Sequence, residues 1–469
     1  MSAEPSDLHY RSLTETAERI RRRELSPVAV TEAMLERIGR LDGGLHSYRT
    51  VTADLARAQA AQAESEIAAG RYRGPLHGIP VAVKDLCFTE GIPTSAGMPI
   101  HRGFRPDHDA TVVRRLADAG AVLLGKQHLT EGACIEHHPE FGRPVNPWRA
   151  DLWTGASSSG SGVATAAGLC FASVGSDTGG SIRFPSAPNG VTGVKPTWGR
   201  ISRHGIFNLA ESYDTLGPMA RSAADAAAML GVLAGDDPAD PTSLPAAVPD
   251  YLGGLAGVEG ARGLRIGIDR AYNDAGADPE TTGLLEAAAA VLRDLGAELR
   301  PVAFPDHQPL CAHLAEVHMA ELASAHAATY PEQKQRYGRW LTAGLESGLA
   351  MSPVDYARTT IERDRFKGRL VRLFAEVDAV LMPVFSFATP TWQEVEAIVE
   401  TEISRLFRFT FPINASGSPS VTFPCGFTGD GRPIGIQLVG AHLSEAVLLR
   451  AVHAYQQATD WHLRRPPLP

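Results

Sequence analysis

The sequence predicts an α/β fold, and three observations carry that reading. Between Gly78 and Gly125 a short β-branched run, Ile79–Val83, is followed by a helical stretch, Ala110–Gly120, and by a second apolar run, Ala121–Leu124. That alternation is the pattern of crossover units. It returns later: Leu264–Ile268, Ala379–Val384, Ser420–Pro424 and Ile434–Val439 read as buried strands, Leu284–Leu295 and Glu445–Ala458 as helices. The third observation is bulk. A chain of 469 residues, 44% apolar and 21% charged, can bury a large core and has an ordinary globular composition.

Taken in order, the first ~70 residues read as helical. Leu13, Ala17, Ile20 and Leu25 form one apolar face, and Arg21, Arg22 and Arg23 form a solvated basic end. Ser26-Pro27 restarts a helix, with Ser as cap and Pro as first residue, and Val30, Met34, Ile38 and Leu41 continue it. Residues 154–200 are dense in Gly and Ser, with one helical run at Gly162–Gly168. Residues 235–262, rich in Pro, Ala, Asp and Gly, predict a surface excursion. No internal repeat or boundary divides the chain, so one large α/β unit is expected.

Net charge of -9 implies no broad basic surface for nucleic acid or anionic membrane. Five scattered cysteines without a CxxC pair argue against a disulfide framework or a zinc site. The opening residues lack a basic-then-apolar leader pattern, and no run of about 18 uncharged apolar residues occurs. A cytoplasmic protein is expected.

The chemistry concentrates in the Gly-Ser segment. Glycine lets backbone approach a ligand closely and serine supplies hydroxyls. A phosphate cradle would need a pattern such as GxxxxGK[ST], which is missing there. A flexible linker is excluded by the apolar helix and strand sequence around it. A serine-hydrolase site needs a base, and no His lies between His138 and His204, so the residues alone leave the base open.

The local sequences narrow this. Lys84 closes Ile79-Pro80-Val81-Ala82-Val83 within RYRGPLHGIPVAVKDL. Ser157 lies in TGASSSGSG, and Ser181 in GSDTGGSIRFPSAPNGVTGVKPTWGRISRHG, 24 residues later. These stretches, with the C-terminal PSVTFPCGF and RPIGIQLVG, resemble the amidase signature family from about residue 8 to 466. The resemblance implies a large twisted mixed, mainly parallel, β-sheet covered by α-helices. It implies one amidase domain over 8–466, with 1–70 its helical N-terminal part, 71–220 the signature core, and 221–469 the remaining sheet and covering helices. It also implies a hydrolase that cleaves C–N bonds of linear amides, releasing carboxylate and ammonia or amine, without metal or organic cofactor.

On the same resemblance, Ser181 is the nucleophile, Ser157 relays its proton, and neutral Lys84 receives it. A free lysine has a pKa of about 10.4, so only a few in ten thousand are neutral at pH 7, and burial must lower it. Backbone N–H groups of Thr178, Gly179, Gly180 and Ser181 would form the oxyanion hole. Ser158, Asp177 and Arg183 would support the site, with Ser161 a structural donor and Lys195 a structural lysine. A cis peptide is implied before Ser157, where Ala156, like Ser159, replaces a usual glycine.

Other candidates read as ordinary. His137-His138 lacks a carboxylate at metal-ligand spacing. Cys134 is expected along the substrate channel, and Trp153, Phe141 and Phe207 could wall an apolar acyl pocket. The resemblance extends to the glutamine-hydrolysing components of tRNA amidotransferases. Where those carry an acidic residue and a tyrosine pair for substrate, this chain aligns Phe407, Leu314 and Ala315. A stand-alone amidase for a small-molecule, more apolar aryl or acyl amide is therefore expected, with glutamine hydrolysis in a complex, or ester or carbamate hydrolysis, as alternatives. Many family members are homodimers, and nothing in the chain decides its oligomeric state.

Overall fold

The computed structural model describes residues 8–468, apart from the side chains of residues 258 and 308–316. Eleven strands form one sheet: β1 (Tyr48–Val51), β2 (Pro80–Lys84), β3 (Val122–Gln127), β4 (Ala172–Asp177), β5 (Thr192–Lys195), β6 (Thr215–Ala220), β7 (Arg265–Ile268), β8 (Glu298–Pro301), β9 (Ala379–Pro383), β10 (Ser420–Phe427) and β11 (Pro433–Gly440). Their order across the sheet is β1-β3-β2-β4-β6-β5-β10-β11-β9-β7-β8. The expected mixed, helix-covered sheet is present. Parallel ladders join β2 to β3 and β4, and β7 to β8 and β9. The remaining ladders are antiparallel, so parallel pairing is concentrated in two patches on either side of an antiparallel middle.

The central strands are buried on both faces, which is why β2 reads as a continuous apolar run rather than an alternating one. The helical start is also as read. Ser12 caps the helix Leu13–Arg21 and Ser26 caps Pro27–Leu45, each hydroxyl accepting a first-turn N–H. Arg21, Arg22 and Arg23 are exposed, and the first two pair with Glu18. β1 interrupts this helical region, a short strand with no apolar alternation to announce it. The excursion at 235–262 is largely without helix or strand, but it is pinned: buried Arg200 donates to the Ala246 and Ala247 carbonyls and to the Tyr251 hydroxyl at 2.7–2.9 Å.

For function the decisive contact is β2 beside β4. Val81 pairs with Ala172 and Val83 with Val174, so both strands end on the same edge. Lys84 is the last residue of β2 and Asp177 the last of β4. Helices Ser159–Ala166 and Arg183–Asn189 pack against each other beside those ends. Ligand sites of open α/β sheets lie off the carboxyl ends of parallel strands. Among the described residues, no helix is long and apolar enough to cross a membrane. The described cysteines, Cys87, Cys134, Cys170 and Cys425, are free thiols.

Candidate active site

Lys84 has no exposed surface. Its Nζ donates to Ser157 Oγ at 2.6 Å and to Ser176 Oγ at 2.9 Å. Burial pushes its pKa down to about 7. The strand delivers this side chain into a sealed space and surrounds it with hydroxyls instead of carboxylates. It is therefore a lysine able to be neutral near neutral pH.

Ser157 is fully buried and follows a cis peptide bond from Ala156. Its carbonyl accepts from the Thr130 N–H at 3.2 Å. The two departures from glycine are absorbed by their neighbours. The Ala156 methyl packs with Trp153 and Phe184, and the Ser159 hydroxyl meets His137 Nε2 at 2.8 Å. Gly155 keeps a positive φ of 79°, and a Cβ there would collide with the Pro185 backbone.

Ser181 is partly exposed, unlike Lys84 and Ser157. It follows Thr178-Gly179-Gly180 in a tight bend where Gly180 has φ 143°. A Cβ on Gly180 would lie 2.7 Å from the Phe184 ring, so glycine is required there twice over. Among the described residues, the N–H groups of Gly179, Gly180 and Ser181 donate to no backbone carbonyl. Ser158 ties the two serine segments together. Its N–H donates to the Ser181 carbonyl at 3.3 Å and its hydroxyl to the Ser176 carbonyl at 3.1 Å.

Beneath Ser181 lies a saturated ionic network. Arg183 and Asp177 are both fully buried. The guanidinium donates from Nε and Nη2 to the two Asp177 oxygens, each at 3.0 Å. Asn414 Nδ2 adds a 2.8 Å bond to Asp177, and the Ile182 and Arg183 N–H groups also donate to it. Burial alone would raise the carboxyl, but the Arg183 charge and these donors outweigh it and hold Asp177 well below the usual carboxylate range. Two further bonds steady the glycine bend. Thr178 Oγ1 donates to Asp214 at 2.6 Å, and Thr410 Oγ1 donates to the Gly179 carbonyl at 2.6 Å.

The remaining candidates fall as follows. Lys195 is buried, donates to the Pro196 carbonyl at 3.1 Å, and stands outside the Lys84 hydroxyl group. The Ser161 hydroxyl is buried without a partner, so the expected donor role is not seen. Burial pushes the Cys134 thiol up to about 11. Trp153 packs against Phe184 and Phe385, with ring centroids 6.0 and 5.9 Å away. Phe141 and Phe207 do not join that group. Phe141 lies under the Arg49 guanidinium, and Phe207 sits among Phe88, Phe104 and His101. Phe407 stands against Gly179: a Cβ on that glycine would be 3.0 Å from its ring. The side chains of Leu314 and Ala315 lie outside the described residues. Ser176, Asp214, Thr410 and Asn414 join the site without having been singled out by sequence. Ser176 lies within the Ser181 motif, and its place one residue before the end of a strand neighbouring β2 is the signal that could have found it.

An α/β sheet with a buried lysine, two serine segments and a glycine bend off its strand ends defines a class, and the chain belongs to the Amidase family, whose model matches residues 29–449. It is an amide-hydrolysing enzyme. It is 47% identical over 458 residues to AmiD of Mycobacterium tuberculosis, a protein named as an amidase, covering 97% of this chain and 96% of that one. It is 38% identical to a component of the glutamyl-tRNA(Gln) amidotransferase of Chloroflexus aurantiacus, covering 99% of each chain. Among solved structures, the native peptide amidase from Stenotrophomonas maltophilia superposes with a TM-score of 0.82 at 34% identity, covering 97% of this chain and 98% of that one.

Proposed function

We propose that the protein hydrolyses small-molecule amides through an acyl-enzyme on Ser181, and that residues 8–466 act as one amidase unit. The observation that carries this reading is Lys84: sealed from solvent, 2.6 Å from Ser157 Oγ, and lowered to about 7. A serine hydroxyl is a poor nucleophile until a base takes its proton. Ser181 gives its proton to Ser157 Oγ as it attacks the carbonyl carbon. Ser157 passes its own proton to the Lys84 lone pair. The N–H groups of the Thr178–Ser181 bend receive the negative charge that develops on the carbonyl oxygen. The protonated Lys84–Ser157 pair then returns a proton to the departing nitrogen, and ammonia or an amine leaves. Water enters, loses a proton along the same relay, and releases the carboxylate.

Ser158, Asp177 and Arg183 hold the two serine segments in place. The apolar ring of Phe407 against Gly179 supports a more apolar amide over glutamine. The test is a fluorophosphonate serine probe with peptide mapping, alongside Ser181→Ala and Lys84→Ala. Adduct on Ser181 that is lost in both variants is the expected result. Adduct persisting on another residue would overturn the assignment.

A further inference from the structure

A cavity of about 510 Å³ opens beside the serine segments, within the size range of small-molecule sites. Its walls include Trp153, Trp340, Trp392, Ile135, Val395 and Val399. Its floor belongs to the site already described. Glu131 in the floor follows Thr130, whose N–H donates to the Ser157 carbonyl at 3.2 Å. His137, also lining the cavity, contacts Ser159 Oγ at 2.8 Å. Trp153 reaches the Phe184 ring, which lies over Gly180. The rim is exposed at Arg339, Glu396 and Glu400, while Trp153 and Glu131 are buried. Lys84, Ser157 and Ser181 do not line the cavity themselves; its inner wall stands one residue or one ring away from their segments, through Thr130, Ser159 and Phe184.

Its charge is lopsided. Three carboxylates, Glu136, Glu396 and Glu400, face two guanidiniums, Arg143 and Arg339, while burial pushes the fourth carboxyl, Glu131, up to about 7. Both guanidiniums are engaged. Arg339 pairs with Glu136 at 3.0 Å and lies over the Trp340 ring at 5.4 Å. Arg143 pairs with Glu396 at 3.6 Å and lies over the Trp392 ring at 4.0 Å. Burial lowers the pKa of both His137 and His138, which keeps them from supplying positive charge. A carboxylate entering here would find no unengaged cation and an excess of like charge. The guanidiniums already lie over the Trp392 and Trp340 rings, so a flat aromatic group would join these stacks beside Trp153, Ile135, Val395 and Val399, and the carboxylate excess favours an ammonium over an anion on it.

We propose that this cavity is the subsite for the substrate's distal group, and that it takes an aromatic ring bearing no negative charge, either neutral or carrying an ammonium. The inference rests on the Ser181 acyl-enzyme reading and names the substrate class that reading leaves open.

The experiment compares kcat/KM for propanamide, phenylpropanamide, and the para-aminomethyl and para-carboxy derivatives of phenylpropanamide, with protection of Ser181 from the fluorophosphonate probe as a binding readout. In the unmodified enzyme, phenylpropanamide should exceed propanamide by about 100-fold. The aminomethyl derivative should match or exceed it, and the carboxy derivative should fall at least about tenfold below it. Trp392→Ala and Trp340→Ala should each lower kcat/KM for phenylpropanamide about tenfold more than for propanamide. Trp392→Phe should retain most of the preference. Glu396→Gln releases Arg143 and should raise the carboxy derivative by about fivefold.

Equal turnover and equal protection by propanamide and phenylpropanamide would overturn the proposal. So would a carboxy derivative as good as the neutral one, or equal losses on both amides in the tryptophan variants. Probe labelling of Ser181 separates the two readings. No labelling of the unmodified enzyme would sink the nucleophile assignment. Intact labelling without a phenyl preference would sink the cavity alone.

Discussion

Two groups of buried charge stand close to the Ser181 segment, and they are built in opposite ways. Around Lys84 the protein supplies two hydroxyls and no directly bonded carboxylate. Around Asp177 it supplies a guanidinium in two-point contact, an amide and two backbone N–H groups. Burial disfavours charge in both places. Burial outweighs the more distant Asp177 and Asp214 charges and pushes the lysine to about 7, whereas the directly paired aspartate stays ionised far into acid. The difference separates a group prepared to exchange a proton from one prepared to keep its charge. Burial alone, which the two share, distinguishes nothing.

The severest test acts on the proposed nucleophile. Ser181→Ala should lower kcat on the order of 10⁶-fold with unchanged unfolding, as loss of a nucleophile does elsewhere. Lys84→Ala should cost about 10³–10⁴-fold, measured on the same amide, because the proposed proton acceptor is gone. Retention of more than a tenth of the activity would break the Lys84 half of the comparison.

Asp177→Asn probes the other half. It leaves the Arg183 charge buried and poorly matched, so urea unfolding should show a loss of about 3–5 kcal/mol. A variant as stable as the parent would mean that the network carries less than its geometry implies.

The smallest effect should follow Ser176→Ala, which removes one acceptor from the Lys84 ammonium. About a tenfold fall in kcat/KM is expected. The pH profile sharpens the reading. The base must be neutral, so kcat/KM should rise with pH and level off above about 7, following the lowered Lys84 pKa. Removing Ser176 Oγ weakens the charged form, so this acid limb should move to lower pH. An unmoved limb would assign it to another group.

Much of the fold is legible in the sequence where it depends on local residues. Ser26-Pro27 announces a capped helix, and the β-branched residues of β2 announce a strand buried on both faces. β4, β5 and β6 are not legible, since Gly175, Asp177, Gly193 and Pro218 break any apolar pattern and the pairing comes from distant neighbours. The site divides along the same line. Lys84, Ser157 and Ser181 sit in unusual local sequences. Asn414 and Thr410 reach Asp177 and Gly179 across more than two hundred residues, and no spacing could show that. Phe141 and Phe207 are expected beside Trp153 on residue type alone, and other partners claim them.

The ladder between β2 and β4 has a consequence in time. Val81 and Ala172 are 91 positions apart in the sequence, so their pairing closes a long loop. Closures of that kind come late, because their entropy is lost before their contacts form. Until then Lys84 is an ordinary solvated ammonium and Ser181 an ordinary alcohol. A half-made or half-folded chain would therefore carry the proposed catalytic residues without their geometry. On the proposed mechanism, the reactivity arrives with the completed fold rather than with any one residue.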